Sequence, residues 1–140
     1  QNALRTTRFH ISEGMLKDEG WYNKLDEEAR QQYRESGRSL LQGLMSSMSE
    51  DKDAAGAAAE ALGYEYASRG RRCGLSAVEA THAFLFFRNA LLESMLAAYE
   101  AASIHSPRAW SDTFLKMTAF TDRILITLME TYEVYQRANP

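Results

Sequence analysis

Residues 74–102 read GLSAVEATHAFLFFRNALLESMLAAYEAA. The middle is apolar on almost every side: Ala83-Phe84-Leu85-Phe86-Phe87, then Ala90-Leu91-Leu92, then Met95-Leu96-Ala97-Ala98-Tyr99. A surface helix carries one apolar stripe, whereas a helix apolar nearly all round is buried. The stretch therefore reads as the buried central helix of an all-α domain, a bundle of four to six helices. A membrane span needs roughly 20 mostly apolar residues. Here Arg88, Asn89, Glu93 and Ser94 break the run, so no transmembrane helix is expected.

The ends of this helix are written in capping chemistry. Ser76-Ala77-Val78-Glu79 is a capping box: the serine hydroxyl accepts from the Glu79 amide while the carboxylate reaches back. Ser106-Pro107 opens the next helix, with serine as N-cap and proline at the first helical position. That last helix is expected from about Pro107 to Arg137. Trp110, Phe114, Met117, Thr121, Ile124, Leu128, Thr131 and Tyr135 follow one another at four- and three-residue steps, an a/d heptad pattern. At 1.5 Å per residue its 31 residues span roughly 46 Å, so its end is expected to project as a connector.

Upstream, a helix is expected from about Lys52 to Arg72. Gly56, Ala59, Gly63, Ala67 and Gly70 form a small-residue stripe that admits a close neighbour, and glycine near 70–74 suits the C′ position. Before it, Asp26 caps a helix with Glu27 and Glu28 in its first turn, where the dipole favours them. That helix runs to about Met48, and Gly37 and Gly43 either bend it or let a neighbour in. A short helix around Trp21 is expected to pack Met15, Leu16, Trp21, Tyr22 and Leu25 on the core. Residues 1–12 read as a short first helix or an arm. Alternating runs and Asn-Gly or Asp-Gly hairpin turns are missing from the sequence.

The bulk numbers exclude several classes of function. With 140 residues the chain suits a single domain. A net charge of −3 offers no nucleic-acid footprint. Arg69, Arg71 and Arg72 cluster at a helix C-terminus, where cations suit the dipole. The single cysteine, Cys73, permits no intrachain disulfide and fits a cytoplasmic setting. Neighbouring arginines are expected to lower its thiol pKa, which would suit a redox switch. No secretory signal is read in residues 1–30. Lacking an initiator Met, residues 1–140 read as a domain excised from something longer.

No catalytic constellation stands out. His10, His82 and His105 lie in separate segments without a ligand pair, so neither metal nor cofactor is assigned. Glu79-Ala80-Thr81-His82 matches a di-iron Glu-x-x-His string once, but such a site needs two. A phosphoacceptor role for His82 is disfavoured by the apolar run that follows it. Arg88, Asn89 and Glu93 are read as the solvent-facing stripe of the central helix. The alternative is an arginine that reads an anion or a partner's carboxylate.

Leu62-Gly63-Tyr64-Glu65-Tyr66-Ala67-Ser68-Arg69, Gly74-Leu75-Ser76-Ala77-Val78-Glu79 and Phe84-Leu85-Phe86-Phe87-Arg88-Asn89-Ala90-Leu91 together resemble the RsbRD-type N-terminal domain. The resemblance is sharp over about 30 residues, and it implies a helical, usually dimeric input domain ahead of a signalling output domain. Related co-antagonists carry globin-like domains without haem, so a globin-like or four-helix-bundle-like arrangement is expected. On this reading the protein is not an enzyme. It is a signal-input module that pairs through Phe114, Met117, Thr121, Ile124, Leu128 and Tyr135 with a second subunit and couples to an output domain or partner protein. The rivals are a small-molecule sensor, like the helical ligand domain of a transcriptional regulator, with a pocket among Tyr64, Tyr66, His82, Phe86, Arg88 and Trp110, and a haem- or metal-binding helical protein.

Overall fold

The computed structural model describes Leu16 and residues 18–48, 51–102 and 106–138. Among them are five helices and no strand: α1 (Gly20–Asn23), α2 (Glu27–Ser47), α3 (Lys52–Arg72), α4 (Ala77–Ala101) and α5 (Pro107–Ala138). The all-α bundle is as expected. The arm at residues 1–12 and Met15, His10 and His105 lie outside the described residues.

Side-chain caps set the starts of α2 to α5. The Asp26 carboxylate accepts from the Ala29 amide (2.8 Å) and Asp51 from Ala54 (2.7 Å). Both halves of the capping box form, Glu79 N to Ser76 Oγ at 3.1 Å and Ser76 N to Glu79 Oε1 at 3.0 Å. Ser106 Oγ accepts more weakly from Ala109 N, at 3.4 Å. At the end of α3, Gly74 takes a φ of +75°, which lets the Leu75 amide turn back onto the Gly70 carbonyl (2.9 Å).

Helices α3 and α5 are the most closely packed pair. Glu60 pairs with Arg123, Gly63 meets Thr127 and Gly70 meets Tyr132. Position rises together along both helices, so they run parallel, with α4 returning between them in sequence. The small stripe makes this approach possible: Ala59, Gly63, Ala67 and Gly70 are all buried. Helix α2 runs antiparallel to α3, as the Tyr66 hydroxyl donates to Ser36 O (3.2 Å) while Gly43 lies against Leu62. The glycine at 43 admits that neighbour, and Phe120 beside it. Short α1 seats Trp21 edge-on to Phe86 and beside Tyr33 and Phe87.

Two expectations change. The helix at 77–101 is not buried all round: Ala80, Ala83, Phe84, Phe87, Leu91 and Met95 make one inner stripe. Val78 is 66% exposed, Leu96 46% and Leu92 37%. This stripe turns toward the core, and the opposite side of the helix stays largely exposed. The proposed pairing face of α5 is also occupied. Met117, Thr121, Ile124 and Leu128 are buried in the chain's own core, and the Ile124 carbonyl and Thr127 lie against Gly63 of α3. A heptad records that a face is apolar and leaves open whether it meets the same chain or another.

Candidate functional site

Angular position along α4 separates two apolar faces. At 100° per residue, the inner stripe points at the core, and Val78, His82, Leu85, Asn89, Leu92, Leu96 and Tyr99 line the far side. Their spacing alternates four and three over the whole length of the helix. Val78, His82, Asn89, Leu92 and Leu96 are exposed, and Leu85 and Tyr99 half-buried. Leu85 packs partly on the core, and Tyr99 meets Trp110 edge-on at 5.0 Å.

Polar residues frame this seam. The Arg88 guanidinium donates to Asn89 Oδ1 through Nε (3.2 Å) and Nη2 (3.0 Å), so both side chains lie at the surface as one unit. Glu93 is exposed one turn beyond Asn89. At the start of α4, Lys24 Nζ bonds both oxygens of Glu79 (2.8 and 3.0 Å). That ammonium, followed by the Ser76 amide, holds the Glu79 carboxyl below the usual carboxylate range. A cleft of about 310 Å³ lies along the seam's flank, lined by Glu19, His82, Leu85, Phe86, Asn89, Ala90 and Glu93.

The six candidate pocket residues do not share one site. His82 and Phe86 meet in the flank cleft, with Arg88 on the other side of the seam. Tyr64 is 56% exposed on α3, whereas Tyr66 is buried with its ring edge-on to Phe84 (5.3 Å). Two residues on a helix lie about 200° apart, so these tyrosines face opposite ways. Trp110 meets Tyr99 edge-on and Phe114 at a tilt, away from the flank cleft. Of the interface candidates, Phe114 and Tyr135 are half-buried, and Tyr135 lies under the Arg71 guanidinium (4.3 Å).

Sequence reasoning missed an apolar groove of about 500 Å³ between the start of α3 and α5. Ala55, Gly56, Ala59, Leu115, Ala119 and Phe120 form its walls, with Lys52, Lys116 and Arg123 around them. Its signal was Gly56, the one member of the small stripe with no neighbour against it.

Cys73 departs from expectation. Burial raises its thiol pKa and outweighs the lowering by Arg69 and Arg72. A half-buried thiol at the close of α3 is therefore the less reactive kind. Among the described residues no group of three or more His, Cys, Asp or Glu is placed to hold a metal ion. Nor is any described helix long and apolar enough to cross a membrane. Compared with family models, curated proteins and solved structures, the chain matches none of them.

Proposed function

We propose that this chain is a non-enzymatic regulatory input module. It self-associates, and it passes a change in bundle packing along α5 to an output domain or partner protein, in the manner of the cytoplasmic RsbRD-type domains that its sequence resembles. The observation that carries this is the second apolar face of α4. Isolated exposed leucines are ordinary on a protein surface. A heptad-spaced row along a whole helix is the pattern of a helix–helix contact. Sedimentation analysis over a range of protein concentrations tests the reading: a reversible dimer is expected, and a monomer at the highest concentration reached refutes it.

The groove between α3 and α5 favours a second reading, a sensor for a small molecule. Apolar walls with Lys52 at the rim, beside Lys116 and Arg123 in their pairs with Asp112 and Glu60, suit an amphipathic carboxylate. Stabilisation of the chain by medium-chain fatty acids in a thermal-shift assay supports this reading, and no shift across the series removes it.

A further inference from the structure

The outer seam of α4 specifies its partner. Its positions fit a heptad with Val78, Leu85, Leu92 and Tyr99 at d and His82, Asn89 and Leu96 at a. The 22 residues from Val78 to Tyr99 make a strip roughly 33 Å long. We infer that this strip pairs with the same strip of a second copy of the chain, parallel and in register, with Asn89 facing Asn89 across the two-fold axis. The inference rests on the self-association reading and adds its geometry.

The polar residues choose this arrangement. In a parallel pair each a residue faces its own copy. A carboxamide carries both a donor and an acceptor, so two Asn89 side chains satisfy each other. An antiparallel pair sets a against d and places Asn89 against Leu85, Leu92 or another d residue. A buried amide without a partner costs about 1–3 kcal/mol.

The flanking charges agree. Arg88 occupies a g position, and Glu93, five residues on, occupies the e position that g meets on the parallel partner. Two Arg88–Glu93 pairs would then bracket the Asn89 contact. Antiparallel pairing sets the e row against itself, and that row holds Glu93 and Glu100 beside Phe86 and the Lys24-paired Glu79. Like charges opposed in this way repel. In the single chain the Arg88 guanidinium rests on Asn89 Oδ1. Pairing exchanges that local bond for the partner's Glu93 carboxylate and leaves the Asn89 amide to its copy.

Charge reversal tests both face and direction, because all the residues concerned lie on the outer side of α4. Arg88→Glu alone and Glu93→Arg alone each place like charges at two contacts per dimer. Each is expected to weaken dimerisation about tenfold at low salt. The double variant Arg88→Glu/Glu93→Arg restores both pairs in a parallel dimer and should return to within about threefold of the unaltered chain. In an antiparallel dimer each row faces itself, so this loss in the single variants and recovery in the double is not expected. Leu92→Lys, read by sedimentation with circular dichroism to confirm the helix content, is expected to give a folded monomer. If the unaltered chain is a monomer, the inference and the self-association reading fall together. If Leu92→Lys leaves a dimer intact, pairing through α4 is wrong while self-association stands. If Leu92→Lys is monomeric but the single variants pair as tightly as the unaltered chain, or the double variant stays weak, the parallel register is wrong.

Discussion

Replacing Gly63 by alanine measures how closely α3 and α5 approach. A Cβ at this position would stand 2.6 Å from Thr127 Cβ, 2.8 Å from its Cγ2 and 2.9 Å from the Ile124 carbonyl oxygen. None of these is the loose end of a long side chain, and one is backbone, so the helices themselves must separate. Trimming Thr127 to serine or alanine brings no relief, because its Cβ is the nearest atom. Overpacking of this kind costs typically about 1–3 kcal/mol. Alanine offsets about 1 kcal/mol of that by its better helix propensity. A net loss of up to about 2 kcal/mol is therefore expected. Gly56 is the internal control: it lies on the same stripe, but a Cβ there meets nothing within 4 Å. Gly56→Ala should gain about 1 kcal/mol from propensity alone. The two variants should thus differ by about 1–3 kcal/mol in urea unfolding, and in thermal melts by roughly 4–12 °C for a chain of this size. Equal stability, or Gly63→Ala being the more stable, would refute the close parallel contact.

Three further perturbations probe other parts of the fold. Ser76→Ala removes one half of the capping box and should cost about 1 kcal/mol in urea unfolding, and no measurable loss would mean that the box contributes nothing. The Tyr33 hydroxyl is buried without a hydrogen-bond partner among the described residues. Tyr33→Phe should therefore leave stability unchanged or raise it by about 1 kcal/mol, and a clear loss would reveal a partner. Burial, with Tyr135 and Cys73 nearby, pushes the Tyr132 phenol up to about 12, and burial raises Tyr33 and Tyr66 in the same direction. These groups ionise near pH 10 once unfolded, so they bind more protons in the folded state. Their contribution is full below about pH 10 and is lost as pH rises through the folded values. Ultraviolet titration should show Tyr33, Tyr66 and Tyr132 ionising above the range of a free tyrosine.

Helix boundaries were legible because they are local chemistry. Lys52–Arg72 and the start at Ala77 follow from caps and from glycine within a few residues of each end. The small stripe of α3 also announced a close neighbour correctly. What the sequence concealed is which apolar face meets what. The 4–3 spacing from Val78 to Tyr99 was present, but Phe84, Phe87, Leu91 and Met95 supply a second periodic row on the same helix. Together the two rows resemble burial on every side. The heptad of α5 was read as a surface for a second subunit, because sequence spacing does not say that α3 lies against it. The pairing of Tyr64 with Tyr66 in one pocket was excluded by helix geometry alone, since positions two apart diverge.

The parallel run of α3 and α5 also bears on how the molecule assembles. Glu60 and Arg123 are 63 residues apart in sequence. No tight turn can zip these helices together, because all of α4 must be in place or looped out before they meet. Closing so long a loop is entropically costly and is recovered only when the whole contact forms. The α3–α4 hairpin, by contrast, closes through the Gly74 turn with neighbouring residues. Helix α5 is thus the segment expected to dock last and to leave first. The hydroxyl of Tyr132 on the Leu75 carbonyl is its far latch (3.0 Å). Partial release of α5 would expose the groove of α3 while the hairpin stayed folded, so the order of assembly sets the order in which the bundle opens.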